Sequence, residues 1–293
     1  MRIAYHIGVH CTDDDRLVRT LYRNAALLAG QGVEVPDPAR YRNLIRDASI
    51  QLKGQTVTPE ISAGILEQFT EAGAEEDLRL VLSWENFLAF PAWAVKAGAI
   101  YRSGGERMRT ICGIFPNDEA EFHIALRNPA TYLPELHSRQ RGRPWSEFIE
   151  GTDPQDLRWS DLILQLLEAN PGVPITVWAD EDTPLIWPEV LRAVAGLPEL
   201  SALEGEDDLL ESLMTEDGMR RMSAYLAGHP PQNVQQRRRI ASAFLDKFAR
   251  PDRLNFSFDL PDWTEETIAE LTERYERDLA YIAGLPGVTM ITP

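Results

Sequence analysis

The chain has 293 residues and a formal net charge of −17, long enough for one large core and ordinary in its charged and apolar fractions for a globular protein. The acidity works against a nucleic-acid surface or an anionic membrane, and it would repel polyanionic substrates such as sulfated glycans. No stretch reaches the roughly eighteen apolar residues of a membrane span, and the N-terminus lacks the basic start and apolar run of a signal peptide, so a cytoplasmic location is expected.

Apolar periodicity predicts the elements. A strand is expected over 2–9, then a helix over about 14–30 with Leu17, Leu21, Ala25 and Leu28 on one face and Gly30 and Gly32 at its end. Helical stretches follow near 40–52 and 59–73. Buried strands are expected at 78–83, 119–126 and 173–178, with a short late strand at 288–291. Strands separated by helices imply an α/β fold, a parallel sheet flanked by helices on both faces. Residues 198–262 read as a helical extension of a single domain spanning 1–293, broken at Gly228-His229-Pro230-Pro231. The last helix has Thr264 as N-cap, then Glu265 and Glu266. Its apolar face is Ile268, Leu271, Tyr275, Leu279 and Ile282, and it stops at Gly284 and Pro286. The two cysteines, Cys11 and Cys112, fit no metal or disulfide framework.

The first strand and turn, His6-Ile7-Gly8-Val9-His10 with Thr12 and a helix carrying Leu21, Asn24 and Leu28, resemble the start of the sulfotransferases that use 3′-phosphoadenosine 5′-phosphosulfate (PAPS). In that family a strand ends in His-Lys-Thr-Gly-Thr-Thr-Ser. Backbone N–H groups of the turn and helix N-terminus hold the 5′-phosphosulfate, and the lysine stabilises developing charge. Here Cys11 stands at the lysine and Thr12 is kept. Asp13 replaces the glycine, Asp14 and Asp15 the next two threonines, and Arg16 the serine. A carboxylate about 5 Å from a phosphate charge costs about 3 kcal/mol at an effective dielectric near 20, so three of them oppose the ligand strongly. Asp and Thr also make good helix starts, and Asp15 with Arg19 forms an i,i+4 pair.

The resemblance extends over about residues 2–200. Val81-Leu82-Ser83-Trp84-Glu85-Asn86 looks like the family strand ending in Ser-x-Glu-Asn. Ile124-Ala125-Leu126-Arg127-Asn128-Pro129 looks like its 3′-phosphate segment, in which an Arg and a Ser eight residues later bind the phosphate. Arg127 is present, but the later position is Glu135, and Ser138 lies one helical turn further on. Val173 to Trp178, followed by Asp180, Glu181 and Asp182, resembles a late strand–helix unit. The implied fold is of the P-loop nucleotide-kinase and sulfotransferase type with extra helices, and both phosphate segments are altered independently.

Ligands of such sheets sit at the carboxyl ends of the strands. Those ends carry Asp13, Asp14 and Asp15, then Glu85, Arg127 and Asp180. If they converge, they suit a cation: an amine, a guanidinium compound or a hard metal. His6 and His10 share one strand face by the period of two and are a weaker metal candidate. The leading expectation is a sulfotransferase-like protein that has lost PAPS binding, needs no cofactor, and acts as a non-catalytic ligand-binding or regulatory protein. Its ligand is an unidentified small molecule, with a cation favoured, and a homo-oligomer stays open as its state. One alternative is a divergent sulfotransferase that uses PAPS, with Thr12, Arg16, Arg127 and Ser138 for the nucleotide and His10 or Glu85 as general base. The other is a protein-interaction module using the helical extension. Arg237, Arg238 and Arg239, with Arg250 and Arg253, form the one basic cluster, read as a solvated helix face pairing with the chain's own acids.

Overall fold

A computed structural model describes residues 1–293 apart from 53, 54, 56, 72–76, 141, 255–259, 261 and 262. Six parallel strands form the main sheet: β1 (Arg2–His6), β2 (Val33–Glu34), β3 (Arg79–Ser83), β6 (Glu119–Leu126), β7 (Ile175–Ala179) and β8 (Val288–Ile291), in the order β2-β3-β1-β6-β7-β8. A two-stranded antiparallel hairpin, β4 (Val95–Lys96) and β5 (Ala99–Ile100), interrupts the connection from β3 to β6. The fold is therefore α/β with a parallel sheet and additional helices, as the alternation of strands and helices predicts.

Both faces of the sheet are buried, which is why its central strands read as apolar runs. Ile3, Tyr5, Leu80, Leu82, Phe122 and Ile124 belong to the larger core, against the helices Pro38–Leu52, Gly104–Cys112, Trp159–Ala169 and Glu265–Ala283. The alternate positions Ala4, Val81, Ala125 and Trp178 meet Leu17, Leu21, Ile186 and Val190 from the helices Arg16–Arg23 and Thr183–Ala195. Gly105 lets two helices touch, since a Cβ there would lie 2.3 Å from the Gln165 carbonyl oxygen.

Strand β1 ends at His6, earlier than 2–9, because Gly8 takes φ +97. The backbone still follows β6, with Ile7 N donating to His123 O at 3.0 Å and Val9 N to Ala125 O at 3.1 Å. The expected helix over 14–30 is two pieces, Arg16–Arg23 and Ala25–Ala29. Asn24 separates them, exchanging two hydrogen bonds of 2.9 Å with the backbone of Glu204. The helix expected over 59–73 covers Pro59–Leu66, and positions 72 and 73 lie outside the described residues. The last helix is as expected: Glu265–Ala283, capped by the Thr264 hydroxyl accepting from Thr267 N.

In the stretch 198–262 the helices Asp208–Leu213, Glu216–Gly228, Val234–Phe248 and Pro251–Leu254 close a small core of Leu210, Met214, Met222 and Ala241, while 255–259, 261 and 262 are outside the described residues. Arg238 fastens it to the sheet domain, pairing with Glu189 at 3.0 Å and donating to the Thr292 carbonyl, while Arg237 pairs within the extension with Asp207 at 2.7 Å. Among the described residues no helix is long and apolar enough to cross a membrane.

Candidate functional site

Parallel register brings four strand ends to one edge: His6 lies beside Ser83 and His123, and Leu126 beside Ala179. The loops that leave them carry Gly8 to Asp15, Glu85 and Asn86, Arg127 and Asn128, and Asp180 to Asp182. Gly8 is required where the first loop crosses Glu85, since a Cβ there would stand 3.2 Å from the Glu85 Cα in a backbone region that L-residues avoid.

Each carboxylate of the first loop has its own partner. Asp13 Oδ2 accepts the Leu17 N–H at 2.8 Å and so caps the helix. Asp14 pairs with Arg139, Oδ1 to Nη1 at 2.6 Å. Asp15 pairs with Arg42, Oδ1 to Nη2 at 2.6 Å. The i,i+4 pair expected between Asp15 and Arg19 is absent: Arg19 instead donates to the Asp14 carbonyl, because Asp15 at φ +64 turns toward Arg42. Cys11 and Asp14 also hold positive φ, 63 and 49. Thr12 spends its hydroxyl on the Val9 carbonyl at 2.7 Å.

Glu85 and Asp180 both lie within electrostatic reach of Asp13 and Asp14. Burial and the neighbouring Asp13, Asp14 and Asp15 push Glu85 up to about 7, against the opposing pull of Arg139. Burial, with Glu181, Asp13 and Asp14, pushes Asp180 up to about 7 although Arg127 lies 3.9 Å away. Glu181 has a structural task, accepting Asn128 N at 2.8 Å and the Tyr275 hydroxyl at 2.9 Å. Among the described residues no three His, Cys, Asp or Glu side chains are arranged to hold a metal ion.

Arg127 is buried and reaches into the same edge, donating to the Cys11 carbonyl and, through Nε, to Thr131 Oγ1 at 3.1 Å. Ser138 is exposed and donates to the Glu135 carbonyl of its own helix at 2.7 Å, so it does not join Arg127. Arg16 is half-buried, and the arginines that close on the loop are Arg42 and Arg139.

The two candidate bases differ sharply. His10 is held between Tyr101 and Asn86, with Nδ1 against the Tyr101 hydroxyl and Nε2 2.9 Å from Asn86 Oδ1. Burial lowers it to about 4. Glu85 titrates near neutrality and so has the acidity that a base needs. His6 does not share a site with His10: its ring stacks on Trp178 on the other side of the sheet. Burial raises the Cys11 thiol to about 12, which makes it inert.

Arg42, Arg139, Tyr101 and Tyr132 complete the site without any signal in the sequence, since each arrives from an element distant in the chain. No family model matches the chain, and no curated protein or solved structure matches it significantly.

Proposed function

We propose that this chain is a P-loop, sulfotransferase-like protein that has lost PAPS binding and acts in the cytoplasm as a non-catalytic ligand-binding or regulatory protein. Its ligand is a small organic cation, an amine or a guanidinium compound, taken at the carboxyl edge of the sheet. One observation carries this reading. The turn that would cradle a phosphate holds three carboxylates, one of which caps the helix while arginines from other elements grip the other two. An anion would have to displace these pairs and then face Glu85 and Asp180.

A cation meets the opposite situation. Glu85 and Asp180 sit near their midpoint at neutral pH because burial, and after it the charges of the same loop carboxylates, disfavours their ionised forms. A positive group entering among them favours their ionised forms, so binding releases protons. The absence of a metal-holding arrangement among the described residues favours an organic cation over a bare ion.

Calorimetry with 1,4-diaminobutane and with guanidinium, in two buffers of different ionisation heat, tests this. Saturable binding with proton release, lost in Asp180→Asn, is expected. Absence of binding for every amine and guanidinium probe would overturn it. The rival reading, a divergent PAPS-dependent sulfotransferase, draws support from Arg127 at the end of β6 and from the near-neutral Glu85 as a base. It requires adenosine 3′,5′-bisphosphate to bind and Arg127→Ala to abolish that binding. The interaction-module reading draws less support, since Arg237 and Arg238 of the extension are engaged with the chain's own acids.

A further inference from the structure

We propose that a groove between the start of the helix Trp159–Ala169 and the last helix, Glu265–Ala283, binds a phosphate-bearing small molecule. This site is separate from the acidic sheet edge and does not depend on the reading given for it. The groove has a volume of about 420 Å³ and is lined by Arg158, Arg274, Arg277, Ser160, Tyr281 and Asp278. Three guanidiniums and one carboxylate therefore line a cavity in a chain whose net charge is −17.

The arrangement of the arginines carries the inference. Arg158 Nη1 donates to the Gln155 carbonyl at 2.6 Å, and Arg274 Nη1 reaches the same oxygen at 3.3 Å. Two like charges thus converge on one neutral acceptor. Among the described residues neither arginine has a carboxylate within ion-pairing distance, and their contacts are to backbone carbonyls through Nη1. Among the described residues the Nε and Nη2 donors of both make no hydrogen bond to protein, and these are the donors the ligand takes. Arg277, paired with Glu273 at 3.4 Å on the exposed surface, adds a third positive group.

The nearby carboxylates do not fill this role. Asp278 is buried and already caps the helix, with Oδ2 accepting Trp159 N at 2.7 Å and Ser160 N at 3.1 Å. The groove's attraction for an anion therefore comes from the arginines rather than from the helix N-terminus. Asp161 is exposed, and no ion pair joins it to Arg158 among the described residues. Planar guanidinium forks match the oxygens of a phosphate dianion, and the hydroxyls of Ser160 and Tyr281 line the same wall. The volume suits a small phosphomonoester.

The test uses the full chain at pH 7.5, with thermal shift and calorimetry against inorganic phosphate and glycerol phosphate, and sodium chloride at matched ionic strength as control. Both phosphates are expected to stabilise the protein where chloride does not. Tighter binding of the ester by tenfold or more assigns a phosphorylated metabolite, and equal binding assigns free phosphate. The double variant Arg158→Gln, Arg274→Gln should weaken binding at least tenfold. The exposed Arg277→Glu serves the same end without touching the packed part of the groove. Arg127→Ala and Asp14→Asn should leave phosphate binding unchanged. Stabilisation no greater than that by chloride, or binding that survives the groove variants and disappears in Arg127→Ala, would overturn the assignment.

Discussion

Arg42 grips Asp15 with two near-parallel hydrogen bonds, Nη1 to Oδ2 at 2.9 Å and Nη2 to Oδ1 at 2.6 Å, while its Nε and Nη2 also reach the Ser83 carbonyl. One guanidinium thereby ties the first loop to the end of β3. Asp15 pays for this with a left-handed backbone, at φ +64. The side chain of Asp15 is 40% exposed, so screening limits the pair to about 1 kcal/mol. The left-handed conformation costs a residue with a Cβ roughly another 1 kcal/mol relative to glycine. Asp15→Ala loses the pair and keeps the backbone penalty, whereas Asp15→Gly loses the pair and is relieved of the penalty. Denaturant unfolding should therefore rank wild type and Asp15→Gly close together and Asp15→Ala lower by about 1 kcal/mol. Equal stability of the two variants would show that position 15 is not left-handed.

The carboxyls of the sheet edge set a pH dependence. Glu85 and Asp180 bind their protons more tightly in the folded chain than in the unfolded one, since both are raised to about 7. Their contribution to stability is present below the ordinary carboxylate range and is lost as pH rises through about 7. Stability should consequently fall between about pH 4, the ordinary carboxylate value, and about pH 7 on their account. Glu85→Gln and Asp180→Asn remove the titration, so the unfolding free energy of the double variant should vary less across that window. An identical slope in wild type and variant would refute the shifted values.

Two further groups act with the opposite sign. His6 and His123 are neighbours in register on β1 and β6, both buried, and burial lowers both below the ordinary imidazole value. His6 Nδ1 meets Ser83 Oγ at 2.8 Å and His123 Nε2 meets Glu121 at 2.7 Å, while His6 Nε2 and His123 Nδ1 are buried without partners. A group with a depressed folded pKa loses stability as pH falls below its unfolded value. Acidification below about 6.5 should destabilise the protein through these two rings. His6→Gln should flatten the acid limb of a stability–pH curve, at a cost in stability at pH 8 from disturbed packing on Trp178. A variant that kept the full acid limb would assign it to other groups.

The sequence carries the sheet better than the site. β3, β6 and β8 are apolar runs bounded by turns, and their order along the chain forces crossovers and hence parallel pairing. β2 escapes periodicity because it has only two residues, and the β4–β5 hairpin for the same reason. The break at Asn24 depends on Glu204, 180 positions away, so no local pattern announces it. The acidic loop is plain in the sequence, as is Arg127. Arg42 and Arg139 are not, because a pairing partner is chosen by the path of the chain and not by spacing. The same holds for His6 and His10, which the period of two puts on one face until the backbone at Gly8 turns.

Tyr101 is the hub of the buried hydrogen bonds behind the first loop. Its hydroxyl accepts the His10 backbone N–H at 3.2 Å and the Tyr132 hydroxyl at 2.9 Å, and it contacts His10 Nδ1. All three residues are buried, so water cannot substitute for a lost partner. Tyr101→Phe keeps the ring that stacks on His10 at 5.6 Å and removes only the oxygen, leaving three polar groups unsatisfied. A single buried unsatisfied group costs about 1–3 kcal/mol, so a loss of about 3 kcal/mol in urea unfolding is expected. Tyr132→Phe removes one donor from the same hub and should cost about 1 kcal/mol. A Tyr101→Phe variant as stable as Tyr132→Phe would mean that the hub does not hold the loop.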